Sequence, residues 1–271
     1  MLSREQIELL VEKLKEKGAK EESPPAHALY KLKKDKGILT IYKTGSITFG
    51  GKDPSFFKEE VVKFYLQNID KTPRIGCDEA GKGEFIGPLV VACVYADEKC
   101  LKKLVELRVK DSKDLSKERI LKLAEEIKKH CRGHVKVIMP SQYNRLYEKY
   151  RNLNRLLEAI YVEILEKLIE KYHPEKVIVD KFSSKLEEIL GCRFKGTQFE
   201  IVPKAERDPV VAAASIVAKA ERLKAMDKLK KELGVELPEG NLDNQKILQL
   251  IPSEFRHKFV KMHFKTNRSK R

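Results

Sequence analysis

Apolar positions along the chain follow different periods in different stretches, and the pattern changes near residue 74. Residues 4–17 put Ile7, Leu10, Val11 and Leu14 on one face at helical spacing. A Gly, charge and Ser-Pro-Pro stretch follows at 18–25. Segments 26–34 and 37–45 carry apolar residues at every second position, and 46–51 completes a meander closed by Gly50-Gly51. Ser55 to Leu66 predicts a second helix. Residues 1–66 thus form a small α+β module, followed by a polar linker at 67–73 that ends in Thr72-Pro73.

From Arg74 the pattern predicts a larger unit, residues 74–271. A strand at 74–80 runs into the turn Gly81-Lys82-Gly83, and a long apolar strand follows at 85–96. A basic loop holds Lys110 to Asp114. A helix at 116–129 precedes a strand at 134–139. Asn152 to Tyr172 predicts the strongest helix, with Leu153, Leu156, Leu157, Ile160, Ile164, Leu165, Leu168 and Ile169 in one stripe. Strands at 176–180 and 199–206 lead to an alanine-rich helix at 209–229, whose Ala212-Ala213-Ala214-Ser215 run predicts close packing on a sheet. The order of elements predicts a mixed α/β layer fold.

Composition narrows the partners. Lys and Arg number 56 against 41 Asp and Glu in 271 residues, a formal charge of +15, which points to an anionic partner with nucleic acid foremost. The longest apolar run, Leu89 to Ala96, is far short of the roughly 20 residues a membrane span needs. The charged N-terminus has no apolar signal core, so the expected compartment is cytoplasmic. Five scattered cysteines without a CxxC predict reduced thiols. His130, Cys131 and His134 offer three zinc ligands without a fourth, so a helix end followed by a strand is the better reading. The tail Arg256–Arg271 has seven basic residues and no acidic one, and reads equally as a nucleic-acid arm or a solvated end.

The candidate chemistry lies in acids at segment ends. Asp78-Glu79 closes the strand at 74–80, Asp180 ends the apolar strand Val177-Ile178-Val179, and Glu206 stands before the alanine-rich helix. Sites in open α/β sheets form at strand ends, where such side chains converge. Four convergent carboxylates suit two hard divalent cations, Mg2+ or Mn2+. Spacing alone leaves surface and helix-capping acids as the other reading. The stretch Gly76 to Gly83 nearly fits a phosphate-binding P-loop, but Gly83 stands where a hydroxyl is required, and two acids would lie inside the cradle.

Asp78 to Ala92 resembles the first signature of type 2 ribonucleases H. Lys110-Asp111-Ser112-Lys113, Val179-Asp180 and Lys204-Ala205-Glu206 with Val211 to Ile216 match its later blocks in order. Lys82, Glu206 and the N-terminal extension are similar to the ribonuclease HIII branch rather than to ribonuclease HII. The resemblance implies a ribonuclease H-like mixed sheet with flanking helices, and an N-terminal domain like half of a TATA-binding protein. It implies a monomeric endoribonuclease that cuts the RNA strand of RNA–DNA hybrids and leaves 5′-phosphate and 3′-hydroxyl ends. Asp78, Glu79, Asp180 and Glu206 would be the catalytic, metal-binding acids. Gly81, Lys82 and Gly83 would meet the RNA, with Ser112, Lys113 and Ser215 as further substrate contacts. The N-terminal module would bind the hybrid through a sheet face near Lys31, Lys33, Lys43 and Thr44, with Tyr30 and Tyr42 nearby. Incision at single ribonucleotides and catalysis-free hybrid binding are the alternatives.

Overall fold

The computed structural model describes residues 2–107, 109, 115–234 and 244–264. It divides into two compact units, Met1–Asp70 and Lys71–Arg271.

In the first unit, helix α1 (Arg4–Glu16) starts at a capping box in which Ser3 and Gln6 exchange side-chain and backbone hydrogen bonds. Strands β1 (Lys20–Glu22), β2 (Ala28–Lys34), β3 (Gly37–Tyr42) and β4 (Ile47–Gly51) form an antiparallel sheet in chain order, and α2 (Ser55–Asn68) closes the unit. Leu32, Leu39 and Ile41 pack on Leu10, Leu14, Phe57 and Phe64 of the two helices. Alternation puts Lys31, Thr40 and Thr48 in register on the opposite face. β1 was not expected, because Gly18 and the charged residues after it resemble a linker. It matters electrostatically: its Glu22 pairs with Lys31 at 2.8 Å and with Lys33 at 3.6 Å.

The second unit carries a five-stranded mixed sheet ordered β7-β6-β5-β8-β9. Its strands are β5 (Arg74–Ala80), β6 (Leu89–Ala96), β7 (Arg132–Ile138), β8 (Lys176–Asp180) and β9 (Gln198–Val202). β5 pairs antiparallel with β6 and parallel with β8, and β8 pairs parallel with β9. The helices are α3 (Glu98–Glu106), α4 (Lys117–His130), α5 (Pro140–Tyr150), α6 (Leu153–Tyr172), α7 (Leu186–Arg193), α8 (Pro209–Leu233), α9 (Asn244–Leu250) and α10 (Arg256–Phe259). Ile75, Cys77, Val177 and Val179 face the α6 stripe of Leu157, Ile160, Ile164 and Leu168. The other face receives α8. No described helix is long and apolar enough to cross a membrane.

α8 lies unusually close to β5. An ideal Cβ on Gly76 would sit 2.4 Å from the Val211 nitrogen and 2.5 Å from the Val210 carbonyl carbon. Glycine is therefore the residue that lets helix backbone touch strand backbone. The start of α8 is pinned by Asp208, whose Oδ1 accepts from the Val210 N–H at 2.7 Å and whose Oδ2 accepts from Arg74 Nε at 2.9 Å. Arg74 is buried and also donates Nη1 to the Thr72 carbonyl at 3.0 Å. A buried guanidinium needs such partners, and here they tie the first residue of β5 to the cap of α8.

Three expectations need correction. The strand expected at 85–96 begins only at Leu89, because the chain turns at Gly87 (φ 85°) and Ile86 instead bridges to Val260. The strand expected at 199–206 ends at Val202, where Lys204 (φ 58°) starts a single 3-10 turn, Ala205–Arg207. The cysteines are not all free thiols: Cys77 pairs with Cys93, and Cys100 with Cys131, leaving Cys192 exposed and unpaired. Residues far apart in sequence meet because Cys77 and Cys93 are direct cross-strand partners of β5 and β6. Gly76→Ala is expected to lower the unfolding free energy by about 2 kcal/mol or more through forced separation of α8 from β5, read as a fall in the denaturant midpoint.

Candidate active site

Strand alternation distributes the acids over the two faces of the sheet. Gly76 faces α8 and Cys77 faces α6, so Asp78 points to the α8 side and Glu79 to the α6 side. The parallel register pairs Cys77 with Val179, and Asp78 and Asp180 are the next residue on each strand. Ile178 packs with Ala205 and Val211 on the α8 side, so Asp180 shares that side with Asp78. The carboxyl ends of two adjacent parallel strands thus bring together acids about a hundred residues apart.

Asp78, Glu79 and Asp180 have identifiable neighbours. Asp78 Oδ1 accepts from the Glu79 N–H at 2.8 Å, and the Ser215 hydroxyl of α8 hydrogen-bonds the same carboxylate. Burial pushes the Asp78 carboxyl up to about 7, and the charges of Glu79 and Asp180 add to the rise against those two hydrogen bonds. Glu79 Oε2 accepts from the Tyr161 hydroxyl of α6 at 2.5 Å, and its Oε1 accepts from Lys82 Nζ at 3.3 Å. Tyr161 is fully buried. Burial raises its phenol well above the usual range, the carboxylates around it reinforce this, and it stays a hydrogen-bond donor. Asp180 Oδ1 accepts from the Ala205 N–H at 3.2 Å. That bond ties the 3-10 turn carrying Glu206 to the end of β8.

Gly81 closes β5 with φ 83°, and a Cβ there would meet the Pro88 carbonyl oxygen at 2.3 Å and Arg222 Nε at 2.9 Å. Glycine is required by the fold at this position. Gly83 is different: it is exposed, and a Cβ there meets nothing within 4 Å. Lys82 folds back, with its ammonium 4.8 Å from the centre of the Phe182 ring as well as near Glu79. Ser215 is buried against Asp78 rather than open to a ligand. Ser112 and Lys113 lie outside the described residues. Tyr161 went unnoticed in the sequence. Its signal was a phenol at i+4 from Leu157 on a core stripe, where a hydroxyl requires a partner.

The donor set fits a hard divalent cation. All four candidate groups offer oxygen, and Asp78 carries like-charge repulsion that a cation would relieve. Among the described residues no three His, Cys, Asp or Glu side chains form a ready metal cluster, and Glu79 is engaged by Tyr161 and Lys82 instead. Cys131 is paired with Cys100, so the His130–His134 stretch holds no zinc set of the kind considered from sequence.

Comparison with known proteins adds the family. Residues 75–267 match the model of the family described as Ribonuclease HII. Ribonuclease HIII of Protochlamydia amoebophila is 34% identical over 89% of this chain and 86% of its own. Ribonuclease HIII of Aquifex aeolicus is 31% identical over 88% of each chain. Among solved structures, Bst-RNase HIII in complex with Mn2+ superposes with a TM-score of 0.68 at 26% identity, over 98% of this chain and 95% of that one. The mixed sheet, its flanking helices and the N-terminal α+β unit agree with the fold that the sequence resemblance implied. The chain belongs to the type 2 ribonuclease H family, in its ribonuclease HIII branch.

Proposed function

We propose that the chain is an endoribonuclease that hydrolyses the RNA strand of RNA–DNA hybrids at the Asp78, Glu79, Asp180 and Glu206 site. The observation that carries this is the placing of Asp78 beside Asp180 at the carboxyl ends of β5 and β8, where burial raises the Asp78 carboxyl and the neighbouring Glu79 charge adds to the rise. Divalent cations of the Mg2+ or Mn2+ class, when held by these acids, supply activation of water and stabilisation of the leaving 3′-oxygen. The protein's own part is orientation. Ser215 and the Glu79 N–H hold Asp78, Tyr161 and Lys82 hold Glu79, and the Ala205 N–H holds Asp180. Such supporting hydrogen bonds fix the directions of acids that would otherwise repel one another. Cleavage products with 5′-phosphate and 3′-hydroxyl ends, and a cytoplasmic compartment, belong to the same reading.

The Gly81–Gly83 turn is the RNA contact nearest the acids. Gly83 supports this because nothing in the protein occupies the space a side chain would take, and its φ is ordinary. The reason for glycine there lies outside the fold, in close backbone approach of a ligand. In the N-terminal unit, the open sheet face with Lys31 and Lys33 binds the hybrid backbone. Glu22 holds those lysines in place of phosphate when no hybrid is bound.

Asp78→Asn or Asp180→Asn is expected to abolish Mg2+-dependent cleavage of a uniform hybrid while gel-shift binding persists. Near-normal turnover by either folded variant contradicts the assignment. A uniform hybrid should be cut faster than a duplex with one ribonucleotide, and cleavage at subsaturating substrate should fall steeply with salt as counterions are released. Preference for the single ribonucleotide would move the activity to that of ribonuclease HII. A chain beginning at Lys71 is expected to retain kcat but to raise KM about ten-fold, equivalent to roughly 1.4 kcal/mol of binding. An unchanged KM in steady-state kinetics removes the first unit from substrate binding.

A further inference from the structure

The C-terminal segment does more than extend the chain. Phe259 and Val260 are buried in a cluster with Phe85, Ile86, Met226 and Leu229. The Gly87 N–H donates to the Phe259 carbonyl at 2.9 Å, and the Lys261 N–H donates to the Phe85 carbonyl at 2.8 Å. Asn144 of α5 latches the segment from outside: its Nδ2 donates to the Val260 carbonyl at 2.9 Å and its Oδ1 accepts from the Met262 N–H at 2.9 Å. His263 stacks on Tyr147, with ring centres 4.0 Å apart. The segment is therefore a strap drawn across the loop that follows Gly81.

Lys261 is the point of the strap. It is 0% exposed, and its Nζ donates to the Gly81 carbonyl at 2.9 Å and the Glu84 carbonyl at 2.7 Å. These two acceptors match the two N–H bonds of a neutral amine, and burial pushes the group down to about 7, helped by the nearby Arg222 charge and opposed by Glu84. The latch holds in either protonation state, since the ammonium donates to the same carbonyls.

The consequence follows from peptide geometry. The described peptides are trans, so the carbonyl of Gly81 and the N–H of Lys82 point in opposite directions. With the Gly81 carbonyl held toward buried Lys261, the Lys82 N–H faces away from the core. Neither the Lys82 nor the Gly83 N–H has a hydrogen-bond partner among the described residues. Exposed successive N–H groups in a turn form a concavity for anionic oxygen. Resting on the proposed role of the Gly81–Gly83 turn as the RNA contact, we infer that Lys261 is a positioning residue, which sets the Gly81–Lys82 peptide so that its N–H meets the RNA sugar–phosphate chain. Lys261 thus acts on substrate through the turn.

The test is a double-mutant cycle on the full chain, with single-turnover cleavage of a uniform RNA–DNA hybrid, kcat and KM, and thermal melting. Lys261→Met keeps the length of the side chain and removes the donors. Gly83→Ala adds a methyl where the protein leaves space. Each alone is expected to lower kcat/KM about ten-fold, and the double variant to lose much less than the product, because a misdirected turn no longer depends on Gly83. Loss of activity through general destabilisation would instead combine multiplicatively, and that result overturns the positioning role. Full activity of folded Lys261→Met overturns it too. Gly83→Ala at wild-type rate sinks the reading of the turn as the RNA contact, and the positioning role with it. Should Lys261→Met not fold, Asn144→Ala, which unlatches the strap from its outer side, replaces it in the same cycle with the same criteria.

Discussion

The close contact of α8 with β5 is the constraint on which the rest of the catalytic unit depends. Helix and strand backbones meet at Gly76, and the Arg74–Asp208 pair fixes where along the strand the helix begins. Two residues beyond Gly76 on the same side of β5 comes Asp78, and α8 delivers Ser215 to its carboxylate. The turn that leads into α8 carries Glu206 and sends the Ala205 N–H to Asp180. The same packing contact therefore backs Asp78 with α8 and leads the turn that carries Glu206 to the end of β8, where the β5–β8 register has already set Asp180 beside Asp78.

The fourth acid is governed from the other face. Glu79 follows Asp78 directly, so alternation sends it to the α6 side, where Tyr161 and Lys82 hold it. Adjacent carboxylates on one strand would repel, and the sheet reduces that repulsion by separating them across its plane. Partial burial raises the Asp78 carboxyl, and what remains of the repulsion from Glu79 and Asp180 adds to that rise. Taking the Asp78 carboxylate out of water leaves it short of compensation unless a cation or donor arrives.

The turn after β5 is held from behind by residues that lie far from it in sequence. Arg222 of α8 pairs with Glu84, and Lys261 donates to the carbonyls on either side of the turn. Gly81 has to be glycine for the loop to pass beneath Pro88 and Arg222, whereas Gly83 meets nothing. Of the two glycines in this short motif, only the first is required at its position by the packing around it.

The sequence by itself determined the periodic elements and the order of the acidic blocks. The α6 stripe, the alternating strands of the first unit and the apolar run ending in Asp180 are local patterns, and local patterns survive in one dimension. The resemblance carried by Asp78 to Ala92 and the later blocks brought the family and its acids into view. Pairings between distant segments were decided only by the tertiary structure. β1 looked like linker, yet its place beside β2 gives Lys31 and Lys33 a carboxylate partner. Cys77 and Cys93 looked like separate thiols until β5 and β6 paired in register. Lys261 read as one more charge in a basic tail, and only the closing of the strap over Gly81 buries it as a donor to backbone carbonyls. The physical reason is common to all three: a side chain's neighbours along the chain set its propensity, while its partners in space set its charge, its burial and its work.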